Sequence, residues 1–217
     1  METVNIALVV WASVASMWAA VFAILFVVAD KESKRLAEES MHDSLTKLLN
    51  RRGFSLQANR VIRRLMYPVK HHDTSEAFTV VAFDLDGFKK LNDTKGHQQG
   101  DAALRAFAEA LINTFRPSDV VARTGGDEFI ALFPNLSDRQ VEGIIKKRLI
   151  RKIEDDLYKA FGISVSVGIA SPSGTLIGLE PEEMITEIIG RADEALYESK
   201  DRSREGNIFP VTVYKKT

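Results

Sequence analysis

The sequence predicts an α+β protein, in which helices pack on one sheet whose strand pairings are mainly antiparallel, preceded by a single apolar N-terminal helix. Residues 3–29 carry no charged side chain, which sets them apart from the rest of the chain. After them, helical and strand periodicities follow one another in the order α-β-α-β-β-α-β-α. The two consecutive strands are joined by a short glycine-containing segment, which indicates a hairpin and therefore an antiparallel pair.

The composition excludes several classes of protein. The chain has 217 residues, a formal net charge of −1 and no cysteine. Non-specific binding to nucleic acid requires a basic excess, so no nucleic-acid partner is expected. Without cysteine the chain can form neither a disulfide nor a thiolate metal site.

Residues 3–29, "TVNIALVVWASVASMWAAVFAILFVVA", are long enough to cross a hydrocarbon core of ~30 Å as a helix. A cleaved signal peptide is the alternative, but the apolar run is too long and no basic region precedes it. Lys31, Lys34 and Arg35 follow the run, so the positive-inside tendency puts the N terminus outside and the rest in the cytoplasm. Only Met1 and Glu2 precede it, so we expect no ligand domain beyond the membrane. The expected division is a transmembrane helix (1–29), a charged linker helix (30–41) and a globular domain (42–217).

The helices of the globular domain are predicted from caps and apolar stripes. Asp43 or Ser44 is expected to cap a helix over the leucines that follow, and another helical stretch reaches about Met66. Three later helices are predicted at residues 101–115, 136–153 and 181–200.

The strands are predicted from apolar runs. Residues 78–83 form a nearly continuous apolar run, as expected of a buried central strand, which ends at Asp84 and Asp86. The hairpin strands are 120–122 and 129–133, and "GISVSVGIA" (162–170) alternates as a half-buried strand does. The tail "NIFPVTVYKK" is a candidate for a last strand.

The hairpin "RTGGDEFIALF" (123–133) places acids at its tip. Gly125–Gly126 is expected to be a two-residue turn, because glycine reaches positive φ without steric penalty. Asp127 and Glu128 then begin the outgoing strand and point to opposite faces. A solvated hairpin with acidic ends explains the same residues, so the hairpin alone leaves its role open.

The acids at the end of the central strand suggest a metal. If this strand neighbours the outgoing hairpin strand, Asp84 meets Asp127 and Glu128 at one rim of the sheet. Oxygen ligands without histidine or cysteine suit Mg²⁺ or Mn²⁺, which commonly bridge carboxylates to substrate phosphates. Acids that merely end strands are the alternative.

The stretch "FDLDGFKKLNDTKGHQQGDAAL" (83–104) is rich in groups that bind nucleotides. Lys89 can meet a phosphate, while Asn92 and Asp101 can hydrogen-bond a base edge, with His97 between them. A carboxylate suits guanine, whose N1–H and N2–H₂ donors are adjacent. The alternatives are a solvated lysine, turn formers, an incidental histidine and, for Asp101, an N-cap of the helix beginning there.

Five motifs in order identify the globular domain as a member of the GGDEF family of bacterial diguanylate cyclases, from about Met41 to Asn207. They are "DSLTKLLNRRGF", "FDLDGFKKLNDTKGHQQGD", "RPSDVVARTGGDEF", "SVSVGIA" and "ADEALYESK". The resemblance implies a nucleotidyl-cyclase (palm-like) fold and the condensation of two GTP into cyclic di-GMP and two pyrophosphates. It also implies a homodimer, since each domain holds one GTP, and a bacterial inner-membrane location.

The resemblance assigns roles by motif. Asp84, the Leu85 carbonyl and Asp127 are the implied metal ligands, and Glu128 is a further acid near the metal. Asp127 is also the candidate for activating the 3′-hydroxyl, and Lys89 is expected to stabilise charge on the phosphates. The implied substrate-binding residues are Asn92, His97, Asp101, Gly125, Gly126, Lys200 and Arg204.

Arg116 and Asp119 of "RPSD" match the family's inhibitory product site by their offset from Gly125. A surface arginine and a turn aspartate are the alternative there. Two departures stand out: Lys47 replaces a usual glycine, and "SREGN" (203–207) replaces a Gly-Arg-Asn run.

Two other functions compete. An inactive module that only binds GTP or cyclic dinucleotide is one, although the hairpin motif is intact. A cyclase of mixed guanine–adenine product is the other, and it is disfavoured because Asp101 is present.

Overall fold

The computed structural model describes residues 2–39, 41–67, 78–172 and 179–215. The chain divides into two units, Met1–Ser40 and Met41–Thr217. The first unit is one helix, α1 (Glu2–Glu39). Within the described residues, its segment Val10–Val28 is long and apolar enough to cross a membrane. Residues 68–77, 173–178 and 216–217 lie outside the described residues, as do Met1 and Ser40.

The second unit is built on a five-stranded mixed sheet in the order β2-β3-β1-β4-β5. Its strands are β1 (Phe78–Asp86), β2 (Val120–Arg123), β3 (Glu128–Pro134), β4 (Ser164–Ala170) and β5 (Val211–Val213). Three of the pairings, β2–β3, β3–β1 and β1–β4, are antiparallel, and β4–β5 is parallel. The predicted α+β class, the central strand and the last strand are therefore confirmed.

Helices cover both faces of the sheet. They are α2 (Arg51–Met66), α3 (Phe88–Lys95), α4 (His97–Thr114), α5 (Asp138–Ile144), α6 (Ile150–Ile153), α7 (Lys159–Phe161) and α8 (Pro181–Arg204). The side chains of β1 alternate between two buried clusters: Val81 and Phe83 join the one containing α4, while Val80 and Ala82 join the one containing α2 and α8.

The connection from α5 to α7 contains two π-helical turns, Ile145–Leu149 and Glu154–Tyr158. The buried positions across it repeat every four residues: Val141, Ile145, Leu149, Ile153 and Leu157. In a regular α-helix a four-residue repeat drifts by about 40° per step, because a turn takes about 3.6 residues. Wider π turns correct that drift and keep all of these side chains on the core.

The predicted helix after Asp43 is wrong. Residues 42–49 form turns, and α2 begins at Arg51, capped by the Asn50 side chain, which accepts from the Gly53 amide. Asp43 instead accepts from the amide and the hydroxyl of Thr46, at 2.8 and 2.7 Å. An aspartate that bonds its own backbone three residues on stabilises a turn as readily as a helix start, which explains the error.

Gly168 of β4 lets α8 approach the sheet. A Cβ at this position would collide with the backbone of Ala192 and Leu196. The close approach brings the last turns of α8 to the end of β1, where the acidic residues lie.

Candidate active site

The order of the strands brings the predicted acids to one end of the sheet. Asp84 of β1 is paired in register with Glu128 of β3. The Leu85 amide donates to the Asp127 carbonyl at 3.2 Å, so Asp127 lies beside the end of β1 as well. The condition on which the metal hypothesis depended, that these strands are neighbours, is met.

Asp84 and Asp127 share a cleft of about 360 Å³ with three basic side chains. The cleft is lined by Asp84, Leu85, Asp86, Gly87, Phe88, Lys89, Asp127, Lys200, Ser203 and Arg204. Lys200 comes from α8, and its Nζ lies 2.8 Å from Asp84 Oδ2, with the Asp84 side chain 11% exposed. Cations and acids therefore face one another across a space that can hold a polyphosphate with its metal.

The Asp127 carboxyl lies among other negative charges. Burial raises the pKa of the Asp127 carboxyl, the charges of Asp84 and Glu128 raise it further, and the Lys200 ammonium lowers it. A divalent cation would relieve this repulsion, so the donor set fits one. In the described part of the chain no three acidic or histidine side chains converge into a complete metal site, and substrate phosphates are the usual source of the other ligands.

Glu128 lies at the border of a second cleft. Its side chain is about half exposed, 4.0 Å from Arg51 Nη2, and it lines the space between α2 and α8 together with Asp193 and Tyr197. Burial and the charge of Glu128 raise the pKa of Asp193, against the influence of Arg51 and Lys200.

The hairpin loop differs from the predicted two-residue turn. It comprises Thr124–Asp127, and neither Gly125 nor Gly126 has a positive φ. A Cβ at Gly125 would meet the Glu128 carboxylate, which would have to move from its present position. Asp127 accordingly lies in the loop rather than in the strand.

Two arginines that the sequence reasoning missed hold this loop. Arg123 donates from Nε and Nη2 to the Gly126 carbonyl at 3.1 and 2.8 Å, and from Nη1 to both Asp43 oxygens at 3.1 and 3.3 Å. Arg51 donates to the Thr124 carbonyl at 3.3 and 3.1 Å. Arg51 and Arg123 both lie inside the quoted motifs. Their partners are distant in the sequence, so no local sequence pattern predicts these contacts.

The candidate base-reading residues lie on α3 and α4. The Asn92 amide packs against Gly100, where a Cβ would collide with it, and its buried Oδ1 has no hydrogen-bond partner among the described residues. Asp101 is the fifth residue of α4, about half exposed and 3.9 Å from Arg105, so the N-cap alternative is wrong. His97 is the exposed first residue of that helix.

Arg116 and Asp119 form a turn that lines a separate cleft. The Arg116 amide donates to Asp119 Oδ2 at 2.8 Å, and burial raises the pKa of Asp119. Asp119 Oδ1 is buried and accepts no bond within the described ranges. The cleft, of about 610 Å³, also contains Lys47, the residue that departs from the motif. The segment is a turn, as the alternative expects, and it faces an open cleft, so the product site at Arg116 and Asp119 stays a prediction.

Comparisons with known proteins agree with this geometry. Residues 40–206 match the family described as "Diguanylate cyclase, GGDEF domain". The chain is 37% identical over 185 residues to the probable diguanylate cyclase DgcE of Escherichia coli, covering 85% of this chain and 16% of that protein. It is 31% identical over 188 residues to diguanylate cyclase DgcM of the same organism, covering 83% and 42%. It thus spans less than half of either relative.

Among solved structures, the GGDEF domain of DgcB from Caulobacter crescentus in complex with c-di-GMP matches with a TM-score of 0.65 at 28% identity. The match covers 81% of this chain and 96% of that one.

Proposed function

Because the chain belongs to the GGDEF family of diguanylate cyclases, we propose that it condenses two GTP molecules into cyclic di-GMP and two pyrophosphates. Each 3′-hydroxyl attacks the α-phosphorus of the other GTP, forms a phosphodiester bond and releases pyrophosphate. The observation that carries the proposal is the cleft in which Asp84 and Asp127 face Lys89, Lys200 and Arg204. Positioning and charge stabilisation are most of what phosphoryl transfer requires, and this cleft offers both.

Asp84, the Leu85 carbonyl and Asp127 are the proposed ligands of Mg²⁺ or Mn²⁺, with Glu128 nearby. Such an ion, when bound, neutralises phosphate charge and polarises the phosphorus centre. Asp127 is also the proposed acceptor of the proton of the attacking 3′-hydroxyl, as its place in the hairpin motif implies.

Lys89, Lys200 and Arg204 hold the triphosphate. Lys200 is paired with Asp84 at 2.8 Å, so nucleotide binding exchanges that contact for one with phosphate. A lysine that is already held at the cleft loses less conformational freedom when it binds.

Asn92 and Asp101 read the guanine, with His97 shaping the site. The buried Oδ1 of Asn92 is an acceptor that a guanine N–H can satisfy. The acceptor pair of the Asp101 carboxylate matches the adjacent N1–H and N2–H₂ donors, which adenine lacks.

A homodimer follows from the chemistry of the proposal. One domain that holds one GTP cannot supply both reacting nucleotides, so two domains have to face one another. Helix α1 anchors each chain in the bacterial inner membrane, with the catalytic domain in the cytoplasm.

Cyclic di-GMP also inhibits the enzyme at Arg116 and Asp119 in this proposal. The arginine fork suits guanine O6 and N7 or a phosphate. Asp119 Oδ1, which has no hydrogen-bond partner in the part of the chain that the structure describes, can accept from a guanine N–H.

The experiment is incubation of the purified protein with GTP and Mg²⁺, and separately with ATP and Mg²⁺, followed by mass-spectrometric identification of the products. Cyclic di-GMP from GTP alone supports the proposal. GTP binding without any product would instead identify a nucleotide-binding module.

A further inference from the structure

Two side-by-side contacts fasten the last turn of α8 to the end of β1. Lys200 Nζ lies 2.8 Å from Asp84 Oδ2, and the Ser203 hydroxyl donates to Asp86 Oδ2 at 2.9 Å. Asp84 and Asp86 project from the same face of β1, because strand side chains alternate with a period of two. Lys200 and Ser203 are three residues apart on α8 and so lie on one face of the helix.

Asp86 is also held by hydrogen bonds from strand β4. Ser166 Oγ of β4 donates to it at 3.0 and 2.9 Å, and Ser164 Oγ at 3.3 Å. Three hydroxyls from a strand and a helix thus converge on one carboxylate. Hydrogen bonds to a charged acceptor are stronger than neutral ones, and together they fix the orientation of Asp86.

The two contacts have different fates in the proposed reaction. Asp84 turns to the metal and Lys200 to phosphate, so their ion pair is exchanged when substrate binds. The bond from Ser203 to Asp86 involves no proposed substrate ligand, so it can persist. In the sequence, Ser203 lies between Lys200 and Arg204, the two cations that α8 contributes to the cleft.

The same position is one of the chain's departures from the motif. Ser203 opens the segment "SREGN" (203–207), where the chain departs from the motif, and α8 continues through Arg204, with Glu205 at its C-cap and Gly206 at φ 99°. Arg204 is therefore displayed from the last turn of a helix, where its Nη1 donates to Asp201 Oδ1 at 2.7 Å. Both residues of this pair belong to α8, so the position of the pair depends on where the end of that helix is held.

We propose that Ser203 is a positioning residue, which locks the end of α8 to Asp86 and so keeps Lys200 and Arg204 at the phosphate cleft while the Lys200–Asp84 pair is exchanged. This inference rests on the proposed function for the identity of the ligand. Ser203 itself takes no part in bond making.

The test is Ser203→Ala in the full chain. Affinity for a non-hydrolysable GTP analogue with Mg²⁺ is measured by calorimetry, and KM and kcat are measured in parallel. We expect the analogue to bind about five- to tenfold more weakly, in line with the net contribution of one typical hydrogen bond. KM should rise with kcat little changed. Ser203→Thr, which keeps the hydroxyl, should restore the wild-type analogue affinity and the wild-type KM.

Ser199→Ala is the matched control. It removes a serine hydroxyl from the same helix, where it donates to the Val167 carbonyl at 2.7 Å and to Thr212 Oγ1 at 2.8 Å, away from the acids. It should lower the melting temperature and leave analogue affinity unchanged.

Analogue binding by Ser203→Ala at the wild-type affinity would overturn the inference, as would an equal loss of affinity in Ser199→Ala. A double-mutant cycle supplies a further check. If Ser203 acts through Asp86, the Ser203→Ala/Asp86→Asn double variant should bind the analogue about as weakly as Ser203→Ala alone. If the wild type binds the analogue but forms no cyclic di-GMP, the proposed function fails while the binding comparison still decides the role of Ser203.

Discussion

The ion pair between Arg123 and Asp43 is expected to stabilise the catalytic hairpin by an amount that can be measured. Its Nη1–Oδ1 distance is 3.1 Å, and the two side chains are only 14% and 22% exposed. Breaking a fully buried pair costs about 3–5 kcal/mol, whereas exposed pairs contribute about 0–1 kcal/mol. For this partly buried pair we expect Asp43→Asn to lower the free energy of unfolding by about 2 kcal/mol. In a domain of this size that lowers the melting temperature by about 4–8 °C.

The pH dependence of the loss identifies its cause. Burial acts to raise the pKa of Asp43, but the hydrogen bonds from Thr46 and the charge of Arg123 outweigh it and hold the pKa below its ordinary value of 3.8. A carboxyl whose pKa is lowered by folding stabilises the protein above its unfolded-state pKa and loses that contribution as the pH falls through the folded-state value. The difference between wild type and Asp43→Asn should therefore be constant near neutral pH and shrink below about pH 4.

The assay is thermal unfolding of the full chain, followed by circular dichroism at several pH values, with Glu182→Gln as the control. Glu182 forms a similarly short pair with Arg63, at 2.7 Å, but both side chains are more than half exposed. That change should cost only about 0.5 kcal/mol. Equal losses in the two variants, or a loss in Asp43→Asn that persists unchanged at pH 3, would refute the reasoning.

Four further outcomes are expected. Asp127→Asn should nearly abolish cyclic di-GMP formation. Its free energy of unfolding should be unchanged or higher, since the change removes a carboxylate from a repulsive cluster. Wild-type turnover in product assays would contradict the metal assignment. Asp101→Ser should relax discrimination against ATP by on the order of a few kcal/mol, measured as the ratio of kcat/KM for the two nucleotides; strict GTP specificity would leave Asp101 without a base-reading role. Arg116→Ala should keep a similar initial rate but continue to accumulate product after the wild type stalls. If added cyclic di-GMP slows the variant and the wild type equally, "RPSD" is a turn without a product-binding role. A protein beginning near residue 40 should need higher concentrations for the same specific activity, because α1 concentrates the domains; equal activity on dilution would make α1 an anchor only.

The parts predicted correctly from the sequence depend on local periodicity. The apolar run from Phe78 to Phe83 could be read as a central strand because both faces of it are buried. The hairpin can also be predicted from the sequence, because two apolar runs flank a short loop. Once these strands are placed side by side, the meeting of Asp84 with the hairpin acids follows from the register alone.

The wrong predictions arose where one residue type serves two backbone structures. Asp43 was assigned to a helix start and instead stabilises a turn. A Gly-Gly pair predicts positive φ, but neither Gly125 nor Gly126 adopts it, and Gly125 lies beside the Glu128 carboxylate instead. Both errors concern what surrounds a residue in three dimensions, which a local pattern does not contain.

The contacts that hold the site could not be predicted, because they join residues far apart in the chain. Asp43 and Arg123 are separated by 80 positions, and Asp86 and Ser203 by 117. Each of these residues alone has an adequate local explanation, as a turn former, a strand-end charge or a helix-end hydroxyl. Their pairing is set by the strand order, which puts β1 between β3 and β4, and by Gly168, which lets α8 lie close to that strand.

This arrangement separates two tasks that the site has to perform. The hairpin, which carries Asp127, is held by Arg123 and Arg51 at backbone carbonyls, and neither of these bonds uses the Asp127 carboxylate. The end of α8 is held by Ser203 at Asp86 and by Ser199 at the Val167 carbonyl, and neither contact uses Lys200. Groups that must change partners when substrate binds are thus supported by neighbours that need not change theirs. A site built in this way can exchange the Lys200–Asp84 pair without loosening the hairpin or the helix that present it.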